Sequence, residues 1–254
     1  LFLCHAKPEN AGQATTWKKL IDGSLEAPDT WEVALSAGKD KKETWERLIK
    51  ENRLGALALL RNLRNMREAG VDEQIIFTAL KEMKVERVLP FRFITAARYA
   101  PQWEPPIEEA MLKCLTSQEK ISGKTVLLID VSGSMDGAIS GKSEVLGVDA
   151  ASGISILLRE ICENVEIFTF SDKIIQIPAR KGFALRDAIQ NSQEHSGTYF
   201  GQAVTTIDNK VPYNRLVVIT DEQSHDSVSA PKNKGYVINV RPYKNGVGYG
   251  AWIH

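Results

Sequence analysis

The hydrophobic pattern of this chain changes near residue 120 from a helical pattern to alternating strands and helices. After Gly123, two short apolar runs, residues 125–129 and 216–220, are each followed directly by an aspartate. Continuous apolar runs of this length are typical of strands buried on both faces of a parallel sheet. Helical patterns separate them, which predicts a doubly wound parallel sheet with right-handed crossovers. The other predicted elements are strands at 165–170, 174–177 (a sheet edge) and 236–240, and helices at 143–163 and 183–189.

The part before residue 120 shows helical periodicity and no strand pattern. Leu59, Leu63 and Met66 are spaced to lie on one helix face, and residues 71–84 repeat this pattern. Asp72 is predicted to cap the second of these helices, and residues 107–115 form one more. The expected architecture is a stack of antiparallel helices, as in bundles or helical-repeat arrays. We therefore predict an all-α domain over 1–120 and an α/β domain over 121–254.

The overall charge is balanced, but its distribution is not. The chain of 254 residues has 32 basic and 32 acidic residues, which argues against a globally basic nucleic-acid binder. Residues 39–67, the basic run, contain nine Lys or Arg against four Asp or Glu. Such a run can concentrate phosphates, or it can be a solvated helix face whose arginines pair with carboxylates on neighbouring helices. The candidate RNA contacts are Lys41, Lys42, Arg61 and Arg64.

Cysteine usage and hydropathy limit the cellular setting. Three cysteines at wide spacing form neither a disulfide framework nor a zinc pattern, which predicts a reducing, cytoplasmic location. No apolar run approaches the roughly 18 residues of a membrane-spanning helix. The chain begins at Leu1 rather than at Met, so we expect a piece of a longer protein.

Oxygen-bearing side chains follow the predicted strands. Asp130, Ser132 and Ser134 lie in one turning loop, Thr198 in a second loop, and Asp221 follows a second buried strand. The carboxyl ends of parallel strands meet at one edge of a sheet, where such folds bind ligands. Hydroxyls and carboxylates without Cys or His select a hard cation, so the sequence predicts Mg²⁺ or Mn²⁺ at this edge.

This set resembles the metal-ion-dependent adhesion site of von Willebrand factor A domains, and the resemblance covers Gly123 to the C-terminus. It implies that Ser132 and Ser134 bind the ion directly and that Thr198 binds directly or through water. It also implies that Asp130 and Asp221 act largely through waters and that an open position accepts a partner carboxylate. Tyr199 stands where related domains often carry an acidic residue. Glu222 and His195 are either neighbours of the ion or ordinary loop residues.

The helical part resembles the TROVE module in residues 31–37, 41–49, 60–66 and 89–93. A TROVE segment that continues into an A domain resembles the Ro autoantigen family and its bacterial Ro-like relatives. The resemblance implies a ring of HEAT-like repeats closed by the A domain. It also implies Y RNA on the outer surface and the single-stranded 3′ ends of misfolded noncoding RNA in the central hole. We expect this chain to carry only the last part of the TROVE module.

Three functions remain open from the sequence. The first is a monomeric Ro-like protein that binds noncoding RNA and holds Mg²⁺ in its A domain. The alternative is a divalent-ion-dependent module that binds a carboxylate of a protein partner. The third is a metal-dependent hydrolase, in which Asp130 and Asp221 would hold the ion. No general base is evident, and an ion held mainly by neutral hydroxyls keeps its charge for an incoming anion. We therefore predict that the chain is not an enzyme.

Overall fold

The computed structural model describes residues 6–85, 88–115, 119–241, 243 and 250–254. These residues form two compact units that divide between Leu54 and Gly55. The first unit contains three helices, α1 (Ala11–Ile21), α2 (Trp31–Ser36) and α3 (Lys41–Lys50). Each begins at a polar residue whose side chain accepts a backbone N–H of the first turn, which satisfies a donor that the helix cannot. Trp45 is fully buried and stacks on Trp31, with ring centroids 5.7 Å apart.

The second unit begins with four helices. They are α4 (Ala56–Glu68), α5 (Glu73–Glu82), α6 (Pro90–Tyr99) and α7 (Glu104–Lys113), with a single 3-10 turn at 101–103 before α7. Leu59, Leu63 and Met66 of α4 are all buried, as their spacing predicts. Asp72 accepts the Gln74 N–H at 2.8 Å, which confirms the predicted cap of α5.

A five-stranded sheet follows in the same unit. Its strands are β1 (Ile121–Asp130), β2 (Cys162–Phe170), β3 (Ile174–Ile177), β4 (Arg215–Thr220) and β5 (Lys234–Asn239), in the order β3-β2-β1-β4-β5. All neighbours are parallel except the β2–β3 pair, so β3 is the antiparallel edge strand. The sheet is flanked by α8 (Gly147–Ile161), α9 (Gly182–Gln190) and α10 (Phe200–Lys210). Residues 126–129 of the central strand are fully buried, which confirms a predominantly parallel sheet covered on both faces.

Several element boundaries differ from those the sequence predicts. The helix predicted over 143–163 spans only Gly147–Ile161, because Leu146 pairs with Ala138 in a β-bridge and β2 already begins at Cys162. The helix predicted from residue 107 begins at Glu104, because Pro105 and Pro106 fit the first turn of a helix, where an N–H has no partner. The α10 helix was not predicted from the pattern.

The α4–α7 helices belong to the same compact unit as the sheet, since α6 packs on α8 and α7 packs on α9. The α6–α8 contact is close, because a Cβ on Gly153 would lie 2.7 Å from the backbone nitrogen of Phe91. Arg98 of α6 also pairs with the fully buried Asp149 of α8. The change from helices to sheet occurs at the predicted position, with β1 starting at Ile121. The domain limits 1–120 and 121–254 nevertheless remain a prediction.

Candidate functional site

The candidate site lies at the carboxyl ends of β1 and β4, which are neighbours in the centre of the sheet. Asp130 is the last residue of β1, and Asp221 directly follows β4. Both carboxylates are fully buried. The topology therefore brings together two acidic residues that lie 91 positions apart in the chain, and we call this edge the strand-end rim.

The Asp130 carboxylate is held by hydrogen bonds from its own loop and from the neighbouring strand β4. Its Oδ1 accepts the backbone N–H of Ser132 at 2.8 Å, and its Oδ2 accepts the Thr220 hydroxyl at 2.5 Å. Burial raises the pKa of the Asp130 carboxyl to about 6, because desolvation disfavours its charged form and the nearby Asp221 charge adds repulsion. The hydrogen bonds from Ser132 and Thr220 oppose this rise in pKa only in part. Charge at the rim is therefore costly unless a cation balances it.

The remaining oxygen atoms of the rim form a set that suits a small hard cation. The hydroxyl oxygens of Ser132 and Ser134 lie 3.2 Å apart. Asp221 Oδ1 accepts the Gln223 N–H at 3.2 Å, whereas its buried Oδ2 has no hydrogen-bond partner within the described part of the chain. A buried carboxylate oxygen without a donor is rare in native proteins, and a cation or ordered water commonly satisfies it. The donor chemistry of these residues therefore fits Mg²⁺ or Mn²⁺.

Thr198 lies in a loop that contacts the Ser132 loop through the backbone. The Gly133 N–H donates to the Ser196 carbonyl at 3.0 Å, and Thr198 itself is buried. The Thr198 carbonyl accepts the His225 N–H at 2.8 Å, and the Thr198 N–H faces the Nδ1 of His225 at 3.4 Å. The structure thus places Asp130 at the end of β1 and the other four predicted metal-site residues in the loops after β1, before α10 and after β4.

Other residues support these loops, and the sequence analysis did not select them. Ser171 and Asp172 directly follow β2 and hold the loop of Thr198, since Ser171 Oγ accepts the Ser196 N–H at 3.0 Å and Asp172 Oδ1 accepts the Gly197 N–H at 3.0 Å. The rule that polar residues at strand ends build such sites could have found this pair. The other supporting residue, Arg241, donates to the Ser134 carbonyl and carried no local signal in the sequence.

The structure defines the surroundings of Glu222 and His195, which the sequence left as either neighbours of the ion or ordinary loop residues. Glu222 has a left-handed backbone conformation, with φ of 61°, and its buried side chain accepts a hydrogen bond from Asn239 at 2.7 Å. His195 lies 2.7 Å from the Asp136 carboxylate through Nδ1 and 3.0 Å from the Gln190 carbonyl through Nε2. Neither is an exposed loop side chain. Within the described ranges, no cluster of three or more His, Cys, Asp or Glu side chains suitable for a metal is found.

The candidate RNA contacts fall into both compact units. Lys41 and Lys42 are exposed on α3, and Lys42 lies 4.0 Å from Glu46. Arg61 and Arg64 are exposed on α4 in the second unit, where the Arg64 guanidinium stacks over Tyr99 at 5.2 Å. Throughout the part of the chain that the structure describes, neither arginine has a carboxylate within ion-pair distance.

Two arginines of the basic run, Arg47 and Arg53, pair with carboxylates, which is the structural alternative that the sequence left open. Arg47 pairs with Asp29 at 2.9 Å and with Glu51 at 2.9 Å, and Arg53 also contacts Asp29. Arg47 holds the pKa of the Asp29 carboxyl below its ordinary value of 3.8, mainly through a side-chain hydrogen bond. These cations are compensated, which leaves Arg61 and Arg64 as the better candidates for an external anion.

Comparison with known proteins adds a family to this geometry. Residues 11–125 match the TROVE domain. The matched segment is a TROVE domain. This TROVE protein is 36 % identical over 78 residues to telomerase protein component 1 of Mus musculus and 35 % identical over 78 residues to that of Rattus norvegicus. Each match covers 28 % of this chain and 3 % of the relative, so the chain spans a small part of the length of these proteins.

The structural comparison covers nearly all of this chain. The crystal structure of the Deinococcus radiodurans RO (RSR) protein superposes with a TM-score of 0.63 and 20 % identity. The match covers 98 % of this chain and 65 % of that chain. The TROVE protein therefore has a Ro-like fold, in which helices are followed by a mostly parallel sheet with helices on its faces. None of the helices in the described residues is both long and apolar enough to span a membrane.

Proposed function

We propose that this TROVE protein binds noncoding RNA through the helical part and holds a divalent cation at the strand-end rim. The observation that carries the RNA proposal is the exposed pair Arg61 and Arg64 on α4, within the TROVE match, with no carboxylate partner among the described residues. Guanidinium groups bind phosphate in a bidentate manner and stack on planar rings. Y RNA and the 3′ ends of misfolded RNA, which the Ro resemblance implies, are the proposed ligands.

The RNA proposal is tested by fluorescence anisotropy with a structured RNA that carries a single-stranded 3′ tail. The double variant Arg61→Ala/Arg64→Ala should bind about 10-fold more weakly, and the slope of log affinity against log salt should become shallower by about 1 to 2, because fewer counterions are released. A charge-matched control is Arg180→Ala/Lys181→Ala, which removes two exposed cations outside the TROVE match. Equal affinities for the wild-type chain and the Arg61/Arg64 variant would refute this surface.

The cation proposal rests on the orphaned Oδ2 of Asp221 and the paired hydroxyls of Ser132 and Ser134. Ser132 and Ser134 are the proposed direct ligands, Thr198 binds directly or through water, and Asp130 and Asp221 act largely through waters. A bound Mg²⁺ or Mn²⁺ would act as a Lewis acid that accepts an anionic oxygen from a ligand. Isothermal titration calorimetry should detect binding that Ser134→Ala weakens at least about 10-fold. The control Ser140→Ala changes an exposed residue in the connection between β1 and α8 and should leave the metal affinity unchanged.

A second candidate function is the binding of a carboxylate from a protein partner at the cation. Tyr199 is 41 % exposed next to Thr198, and its ring meets that of exposed His225 edge-on at 5.8 Å, so aromatic surface flanks the rim. Such surface is enriched in protein interfaces. Calorimetric titration of acetate into the Mg²⁺-saturated chain tests the carboxylate site. Acetate binding that Ser134→Ala abolishes, together with unchanged RNA affinity in that variant, would favour this function over a joint RNA role.

The remaining proposals concern the cellular compartment, the oligomeric state and the absence of catalytic activity. The buried Cys162 is a free thiol, which suits a reducing compartment. We propose that the protein acts in the cytoplasm as a monomeric ribonucleoprotein component. We assign it no catalytic activity. Hydrolysis of an RNA or phosphate ester that Asp130→Ala abolishes would overturn that assignment.

A further inference from the structure

The side chain of Arg241, which follows β5, contacts the loop after β1 at the candidate cation site. Strand β5 is the edge strand beside β4, and the backbone N–H of Arg241 donates to Asn239 Oδ1 at 2.8 Å. Its side chain extends to the connection between β1 and α8, where the guanidinium donates to the backbone carbonyl of Ser134. Ser134 is also a proposed cation ligand through its hydroxyl, so Arg241 contacts the ligand residue itself from the opposite half of the sheet.

Two glycines make room for this side chain. A Cβ on Gly137 would lie 2.6 and 2.7 Å from the two terminal guanidinium nitrogens of Arg241. A Cβ on Gly147 would lie 3.2 Å from Arg241 Cδ and 2.9 Å from the Met135 carbonyl oxygen. The two glycines are themselves paired, since the Gly147 N–H donates to the Gly137 carbonyl at 2.9 Å. The connection is thus shaped around the arginine.

The electrostatic state of Arg241 separates it from an ordinary surface cation. Its buried Nε has no hydrogen-bond partner among the residues that the structure describes, and its guanidinium lies 4.8 Å from the centroid of the Tyr243 ring. Its interaction with Ser134 is with a neutral carbonyl rather than with a carboxylate. Placing a positive charge near a divalent cation is unfavourable by itself, so its position calls for a geometric benefit.

We propose that Arg241 is a positioning residue for the divalent-cation site, which fixes Ser134 by clamping its carbonyl and filling the space left by Gly137 and Gly147. The inference rests on the cation site proposed above. A side chain that orients a metal ligand commonly changes metal affinity 10–100-fold when it is removed. The clamp preorganises the turn so that the hydroxyls of Ser132 and Ser134 converge before the ion arrives.

Two variants separate positioning from charge. Arg241→Met removes the clamp and the charge, whereas Gly137→Ala retains the charge and displaces the guanidinium from the Ser134 carbonyl. The alanine is accommodated at low cost, because φ at position 137 is −80° and the clashing atoms are the far end of a flexible side chain. Arg215→Met is the matched control, since Arg215 also donates to a backbone carbonyl, that of Ser122, at the opposite end of the sheet.

The experiment measures Mn²⁺ affinity by electron paramagnetic resonance and Mg²⁺ affinity by calorimetry, beside urea unfolding in EDTA for each variant. Both Arg241→Met and Gly137→Ala should weaken Mn²⁺ and Mg²⁺ binding about 10-fold or more, and Arg215→Met should leave it unchanged. A merely structural role would lower stability in EDTA without a change in the affinity of the folded protein. That result, or tighter metal binding in Arg241→Met, would overturn the inference. Failure of the wild-type chain to bind either ion would instead refute the cation site itself.

Discussion

The strand-end rim and the basic run differ in the burial of their charged side chains. At the rim, Asp130 and Asp221 are fully buried, and their hydrogen-bond partners are backbone amides and a hydroxyl. In the basic run, the cations are largely exposed, and Arg47 and Arg53 share the carboxylate of Asp29. The comparison shows that burial determines the binding properties of these charged groups. Buried carboxylates without a cation favour binding one, whereas exposed arginines are available only where no carboxylate already holds them.

The largest expected effect concerns the buried Asp149 carboxylate of α8. Arg98→Ala removes the cation beside the buried Asp149 carboxylate, whose other hydrogen bonds from the described residues come from the Leu146 N–H, at 3.1 Å, and from Gln190, at 3.2 Å. We expect the free energy of unfolding to fall by about 3 kcal/mol, because an unpaired buried charge is strongly destabilising. Urea unfolding provides the measurement. Lys42→Ala, which breaks the exposed pair with Glu46 at 4.0 Å, is the exposed counterpart and should cost less than about 0.5 kcal/mol.

A second substitution checks the cause of that loss. In Arg98→Ala/Asp149→Asn the buried charge is removed together with its partner, so much of the stability should return. Equal stability of the single and double variants would show that packing of the Arg98 side chain, rather than charge, stabilises the α6–α8 contact.

The next effect is a dependence of stability on pH that arises at Asp130. Its folded pKa, about 6, lies above the ordinary value of 3.8, so the folded state binds the proton more tightly than the unfolded state. The contribution of this group is fully present below about pH 4 and is lost as the pH rises through 6, a decrease of about 3 kcal/mol. Chemical denaturation between pH 4 and 7 in EDTA measures it. Asp130→Asn should remove this component, and an identical pH profile in that variant would contradict the assignment.

The smallest expected effect makes the paired part of the basic run available to RNA. Asp29→Asn removes the carboxylate shared by Arg47 and Arg53 and leaves Glu51 as their remaining acidic partner, so their guanidinium groups become more available for phosphate. We expect RNA affinity at low salt to rise about threefold, with a steeper salt dependence. Glu26→Gln removes one exposed negative charge without releasing an arginine and serves as the control. A rise of equal size in both variants would indicate a general charge effect and would show that pairing is irrelevant.

The sequence was most informative where a pattern has one structural solution. Apolar runs such as residues 125–129 and 216–220 can be buried on both faces only in a covered sheet, and parallel strands end at one edge, so the common location of Asp130 and Asp221 followed from their order. The α10 helix was not predicted because it begins directly after the loop of Thr198, and its N-cap residue, Tyr199, makes no side-chain capping hydrogen bond. The helix predicted from 143 also began too early, because a β-bridge between Ala138 and Leu146 occupies its first turn.

By itself, the amino-acid sequence determined the change from helices to a sheet, the mainly parallel strands and the strand ends at which polar side chains collect. These follow from hydrophobic periodicity and chain connectivity, which are local properties. Only the tertiary structure decided which charges are buried, which arginines already have carboxylates, and that Arg241 reaches the Ser134 carbonyl across the sheet. Those facts depend on contacts between residues up to 107 positions apart, for which no local pattern exists because packing alone brings the partners together.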